Sequence, residues 1–165
     1  MLPKHLSFPL LITTLMATSL PVLAQAPAAE PVKRSRSDIT LAGAERAASA
    51  ALAEAARNGW VISVAVVDSS GELVVFRKAD GAIGISPSVA IGKARTAALL
   101  QAPSKEFEDF VNGGKPSFGT IPGLYPLEGG MPVVVEGEVI GAVGVSGAHG
   151  ANDSRVATVA ARSLR

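Results

Sequence analysis

The sequence predicts a single domain of the α/β (α+β) class, on three observations. Val61–Arg77 and Pro132–Ser146 each hold two short β-branched runs about a glycine-containing turn, which is the pattern of a β-hairpin. Thr40–Arg57, Ser86–Gln101 and Asn152–Arg165 space alanines and other apolar residues at helical intervals. Apolar residues make up 48% of the 165, enough for one sizeable core and too short a chain for a second independent domain.

The domain is expected to span residues 38–165. Before it, Lys4, the uncharged apolar run Leu6–Leu23 and the small residues around Ala24 have the form of a signal peptide over residues 1–24. A cut after Ala26 instead would leave Pro27 first. Pro9, Pro21 and several hydroxyl residues interrupt the run, which disfavours a membrane anchor, so no membrane span is expected after cleavage. The mature protein is then periplasmic or secreted. Residues 25–37, rich in Pro, Ala and charge, read as a flexible tether.

With no cysteine, stability is expected to come from the core rather than from disulfides. The 15 basic and 14 acidic residues balance once the leader and its Lys4 are removed. A balanced chain whose one basic cluster, Lys33, Arg34 and Arg36, lies in the tether is not built to bind nucleic acid.

Within the domain, Thr40 is the N-cap of a first helix whose buried stripe runs Leu41, Ala44, Ala48, Ala51, Leu52 and Ala55, and Asn58-Gly59 stops it. Val61–Val67 is apolar throughout, as a central strand covered on both faces is. Asp68 to Gly71 is a turn in which the Asp68 carboxylate is expected to bond backbone amides, and Glu72–Arg77 returns as the partner strand. Ser86 reads as the N-cap of a second helix, with Pro87 at its first position and Ala102-Pro103 at its end. Lys93 falls in that helix within a stripe of alanine methyls. There it either serves a ligand or a neighbouring subunit, or snorkels over an apolar surface. Ser104 reads as the cap of a short helix that docks Phe107, Phe110 and Val111.

The stretch from Gly119 to Gly150 is the candidate site. Pro122, Pro126 and Pro132 stiffen it, while Gly123, Gly129 and Gly130 let its backbone approach a ligand closely. Its strands, Pro132–Val135 and Val139–Ser146, flank the turn Glu136-Gly137-Glu138. Gly141 and Gly144 leave room on the second for a helix, a second subunit or a flat ligand.

No catalytic motif is complete. Gly144-Val145-Ser146-Gly147-Ala148 approaches a nucleophile elbow, but His149 follows too closely and no acid falls between; Ser146 is read instead as a strand cap or a ligand contact. Asn112 to Pro116 lacks the spacing of a phosphate-binding loop. His5 leaves with the leader, so His149 is the only mature histidine and a closed zinc site of histidine and thiolate is excluded. His149 paired with Asp153 is a conceivable surface metal site. Haem asks for less, since the porphyrin supplies four nitrogens; His149, Met131 and Tyr125 are the competent axial groups, all in the same stretch.

Asp38-Ile39-Thr40-Leu41, Val64 to Asp68, Gly92 to Ala97, Pro122-Gly123-Leu124 with Gly129-Gly130, and above all Gly137 to Gly147 together resemble the GlcG/HbpS-like haem-binding family, over 38–165 in order. The resemblance implies a mainly antiparallel sheet of about five strands flanked by α-helices. It also implies assembly into homo-oligomers, and haem as a cofactor. Lys93, Arg95 and Thr96, with Gly129 and Gly130, are the positions that it places around the pocket. Joined to the chemistry of the central stretch, the candidate ligand-binding set is Lys93, Arg95, Thr96, Thr120, Gly123, Tyr125, Gly129, Gly130, Met131 and Ser146, with His149 as the metal ligand. Three functions follow: an exported oligomeric binder of haem or a similar small anion, held between the Gly/Pro loop and the Ala-rich helix; a haem-degrading enzyme; or a cofactor-free accessory or sensory module that takes a small organic acid or a protein partner.

Overall fold

The computed structural model describes residues 36–165, so the expected leader (1–24) and all but the last two residues of the expected tether (25–37) lie outside the described residues. The first helix, α1 (Leu41–Arg57), starts where Thr40 Oγ1 accepts the Gly43 N–H at 3.1 Å, and it ends at Asn58. Its inner stripe is almost wholly alanine: Ala44, Ala47, Ala48, Ala51 and Ala55 are buried. Leu41, expected to start that stripe, is 62% exposed, because the buried side of the helix begins a turn later, at Ala44.

Strands β1 (Ser63–Asp68), β2 (Leu73–Lys78), β3 (Gly130–Val135) and β4 (Glu138–Ser146) form one antiparallel sheet in the order β2-β1-β4-β3. β1 and β4 are central, which is why β1 reads as an unbroken apolar run. Among the described residues the sheet has four strands, where the resemblance implies about five. Among the described residues before α1, Ile39 adds one backbone bond to the sheet, its N–H to the Ile140 carbonyl at 2.8 Å; the β3–β4 register skips from Val133↔Gly141 to Val134↔Val139 and leaves Ile140 without a β3 partner.

Each face of the sheet has its own core. Val64, Val66, Val133, Val143 and Val145 pack against α1 and α4 (Gly150–Arg162), while Ala65, Val67 and Ala142 pack against α2 (Ser86–Leu100). The valine side takes two helices. The alanine side takes one, at very short range: a Cβ at Gly144 would fall 2.1 Å from the Ala90 carbonyl oxygen and 2.4 Å from the Ala94 nitrogen. The space at Gly144 is therefore filled by a helix of the same chain.

α3 (Ser104–Asn112) and a 3-10 turn (Pro116–Thr120) lead into the Gly/Pro loop. Neither Ser86 nor Ser104 acts as an N-cap; each is the first residue inside its helix. Other partners hold their hydroxyls. Ser86 Oγ lies 2.8 Å from Ser63 Oγ on β1, and Ser104 Oγ donates to the Leu127 carbonyl at 2.6 Å while accepting the Gly130 N–H at 2.7 Å. Ser104 thus braces the loop that the sequence singles out. Among the described residues no helix is long and apolar enough to cross a membrane.

Candidate ligand-binding site

A cleft of about 280 Å³ opens between the outer side of α2 and the Gly/Pro loop, lined by Ser88, Ile91, Gly92, Arg95, Gly123 and Tyr125. Three of these, Arg95, Gly123 and Tyr125, belong to the set expected from sequence. Ser88, Ile91 and Gly92 do not, although a glycine inside an alanine-built helix is a signal that something lies against it.

Arg95 sits at the hub of three segments. Its Nε donates to the Gly71 carbonyl at 3.2 Å and its Nη2 to Glu72 Oε1 at 2.9 Å, both at the β1–β2 turn, while its Cδ and Nη1 lie beside Gly123. Asp68 shapes that turn as expected, accepting the N–H groups of Ser70 and Glu72 at 2.8 and 3.0 Å. The Arg95–Glu72 pair is largely exposed, with Glu72 70% accessible, so it contributes about 0–1 kcal/mol.

Thr96 is fully buried and holds the loop rather than facing the cleft. Its Oγ1 accepts the Tyr125 N–H at 2.8 Å and reaches the Gly92 carbonyl at 2.9 Å. Lys93 is neither snorkelling nor turned to the cleft. Its Nζ donates to Asp153 Oδ2 at 2.8 Å and to the Val145 carbonyl at 3.1 Å, with both side chains at most 5% exposed. Gly129 makes room for this pair: a Cβ there would fall 2.9 Å from Lys93 Nζ and 2.7 Å from Asp153 Cβ. Gly130 is pressed against α2 in the same way: a Cβ there would fall 2.1 Å from the Lys93 carbonyl oxygen.

The remaining candidates lie apart from the cleft lining. Thr120 is exposed and bonds the Ser117 carbonyl, and Ser146 is buried at the end of β4 opposite Ser63. Met131 packs into the valine-side core, across the sheet from α2. His149 is exposed just before α4. It does not share a metal with Asp153, whose Oδ1 accepts the Ala148 N–H at 2.8 Å and whose Oδ2 is taken by Lys93. Among the described residues no group of three His, Asp or Glu side chains is placed to hold a metal ion.

Residues 39–162 match the family described as haem degrading protein HbpS-like. The chain belongs to the HbpS-like family. Protein GlcG of Escherichia coli strain K12 is 47% identical over 93 residues, 56% of this chain and 69% of GlcG. A double mutant of Streptomyces reticuli HbpS superposes with a TM-score of 0.75 at 35% identity, covering 90% of this chain and 99% of that one. A PduOC–haem complex shares the fold at a TM-score of 0.71 and 23% identity, over 78% of this chain and 96% of that one. Gly137–Gly147, the block on which the resemblance chiefly rests, contains the whole of β4, including the glycine seated on α2.

Proposed function

We propose that this HbpS-like chain binds haem, or a flat anionic ligand of its kind, at the cleft between α2 and the Gly/Pro loop. The observation that carries the reading is the lining itself: the Tyr125 ring, seated on Gly92, and Ile91 beside Arg95. An aromatic and aliphatic wall suits a macrocycle, and a guanidinium suits a carboxylate at its edge. At about 280 Å³ the cleft is at the lower limit of pockets that enclose small molecules, about 300–1,000 Å³. A porphyrin would therefore lie across the open mouth of the cleft, with Tyr125 facing it, rather than being enclosed. The family description and the haem complex of PduOC, a protein of the same fold, support the choice of ligand.

Of the axial candidates, Tyr125 is in the cleft lining, His149 is exposed elsewhere, and Met131 is packed in the core. When bound, haem would supply an iron able to react with oxygen and reductant; the chain's part is to orient the macrocycle and neutralise its carboxylates. The family description favours a second reading, haem breakdown.

The composition of residues 1–24 supports export to the periplasm or the medium. Exposed Leu99 and Leu100 at the end of α2 and Ile83 and Ile85 before it support self-association into a homo-oligomer. Haem titration followed by absorption tests binding, and a saturable Soret shift at one haem per chain or fewer is expected. Loss of the band with ascorbate and oxygen would make the protein an enzyme, and no saturable shift would remove haem from the account.

A further inference from the structure

α2 has one glycine, and the Tyr125 ring lies where a side chain at that position would be. A Cβ built on Gly92 would fall 1.8 Å from Tyr125 Cδ2, 2.2 Å from Cε2 and 2.6 Å from Cγ. Any other residue at 92 would push the ring off the helix. One turn on, on the same face, the hydroxyl of Thr96 accepts the Tyr125 N–H at 2.8 Å and donates to the Gly92 carbonyl at 2.9 Å or the Tyr125 carbonyl at 3.2 Å. A bare spot for the ring and an anchor for the main chain are thus side by side.

Both features weaken the helix that carries them. Glycine adds conformational freedom to a helix interior, and a threonine that bonds back one turn competes with the backbone ladder. Their joint effect is to fix one side chain. Among the described residues Tyr125 is held through its main chain and by the seat of its ring, which leaves the phenolic oxygen without a protein partner in a residue that is 36% exposed and lines the cleft.

We propose that Gly92 and Thr96 are positioning residues that present the Tyr125 phenol to the bound ligand, and that with haem the phenolate oxygen is the iron ligand. The proposal rests on the reading of the cleft as the ligand site, and it selects Tyr125 over His149 and Met131. A tyrosine oxygen is one of the recognised axial groups for haem iron.

The chain has a single tyrosine, so a ¹³C label on tyrosine gives one side-chain signal. In the ligand-free mature protein, Thr96→Val and Gly92→Ala are expected to shift that signal, while Thr96→Ser, which keeps the hydroxyl, leaves it in place. In a titration with ferric haem, the wild type and Thr96→Ser are expected to share one absorption and electron-resonance spectrum. Tyr125→Phe, which removes only the exposed oxygen, should lose it. Thr96→Val and Gly92→Ala should bind about 10-fold more weakly or worse, the usual cost of losing an outer-shell partner of a metal ligand. If Tyr125→Phe gives the wild-type haem spectrum, or if Thr96→Val and Gly92→Ala leave both tyrosine signal and spectrum unchanged, the proposal is overturned while haem binding stands. If the wild type shows no saturable shift, the reading of the cleft falls and the proposal with it.

Discussion

Lys93 Nζ lies 2.8 Å from Asp153 Oδ2, and the pair joins the helix on the alanine face of the sheet to a helix on the valine face. It passes the end of β3 beside Gly129, where the edge strand stops and β4 continues. Both charges are buried, and Asp153 Oδ1 also receives the Ala148 N–H. Removing one partner strands the other in the interior. Asp153→Ala and Lys93→Met should each cost about 3–5 kcal/mol in urea unfolding, whereas the double replacement Lys93→Met/Asp153→Leu should recover most of the loss.

Gly144→Ala tests how closely α2 lies on the sheet. The new methyl would meet the Ala90 carbonyl at 2.1 Å, which is backbone and not a movable side-chain end. A loss of about 1–3 kcal/mol is expected from the forced helix shift. Gly84→Ala, where nothing lies within 4 Å, is the control and should stay within about 0.5 kcal/mol of wild type.

His149 has φ 67° and ψ 144°, a backbone conformation that glycine adopts far more easily. Its surroundings enforce this: Asp153 binds the Ala148 N–H, Asn152 Nδ2 donates to the Ala148 carbonyl at 2.9 Å, and the His149 carbonyl accepts the Asn152 and Asp153 N–H groups. His149→Gly should raise stability by about 1 kcal/mol net of glycine's entropy, read as a higher thermal midpoint.

Glu54, buried on α1, accepts hydrogen bonds from Arg57, from Asn58 at 3.1 Å and from Arg155 of α4 at 3.1 Å. The Arg57 hydrogen bond first, with the nearby guanidinium charges and Asn58, holds its carboxyl below the ordinary range. A carboxyl with a lowered folded pKa adds stability above its unfolded value, about 4.3, and loses it as pH falls through the folded value. The Ser69 hydroxyl lowers Asp38 likewise. The thermal midpoint should therefore drop below about pH 4, and more gradually in Glu54→Gln, which starts lower at neutral pH.

Local periodicity made most of the fold legible. α1, the two hairpins and α2 lie close to where helical spacing and β-branched runs put them, because burial against a single layer repeats with the period of the element. Partners far along the chain were not legible. Ser86 and Ser104 have the local look of caps, yet their hydroxyls are claimed by Ser63 and Gly130, 23 and 26 residues away. Lys93 and Asp153 are 60 residues apart, and nothing near either signals the other. In the site, the Gly/Pro loop stood out by residue type, while Arg95 entered only through the family resemblance. The role of Thr96 did not, since a threonine inside a helix looks the same whether it bonds its own turn or a loop 29 residues on.

The two outer strands also bear on aggregation. Pro132 gives β3 one amide donor fewer, and the irregular register at Val133–Val134 interrupts the regular spacing that an added strand would need. β2, at the other border, ends in Arg77 and Lys78, both exposed. With both borders ill-suited to strand-by-strand growth, even a crowded or partly opened population has a poor template for fibril formation.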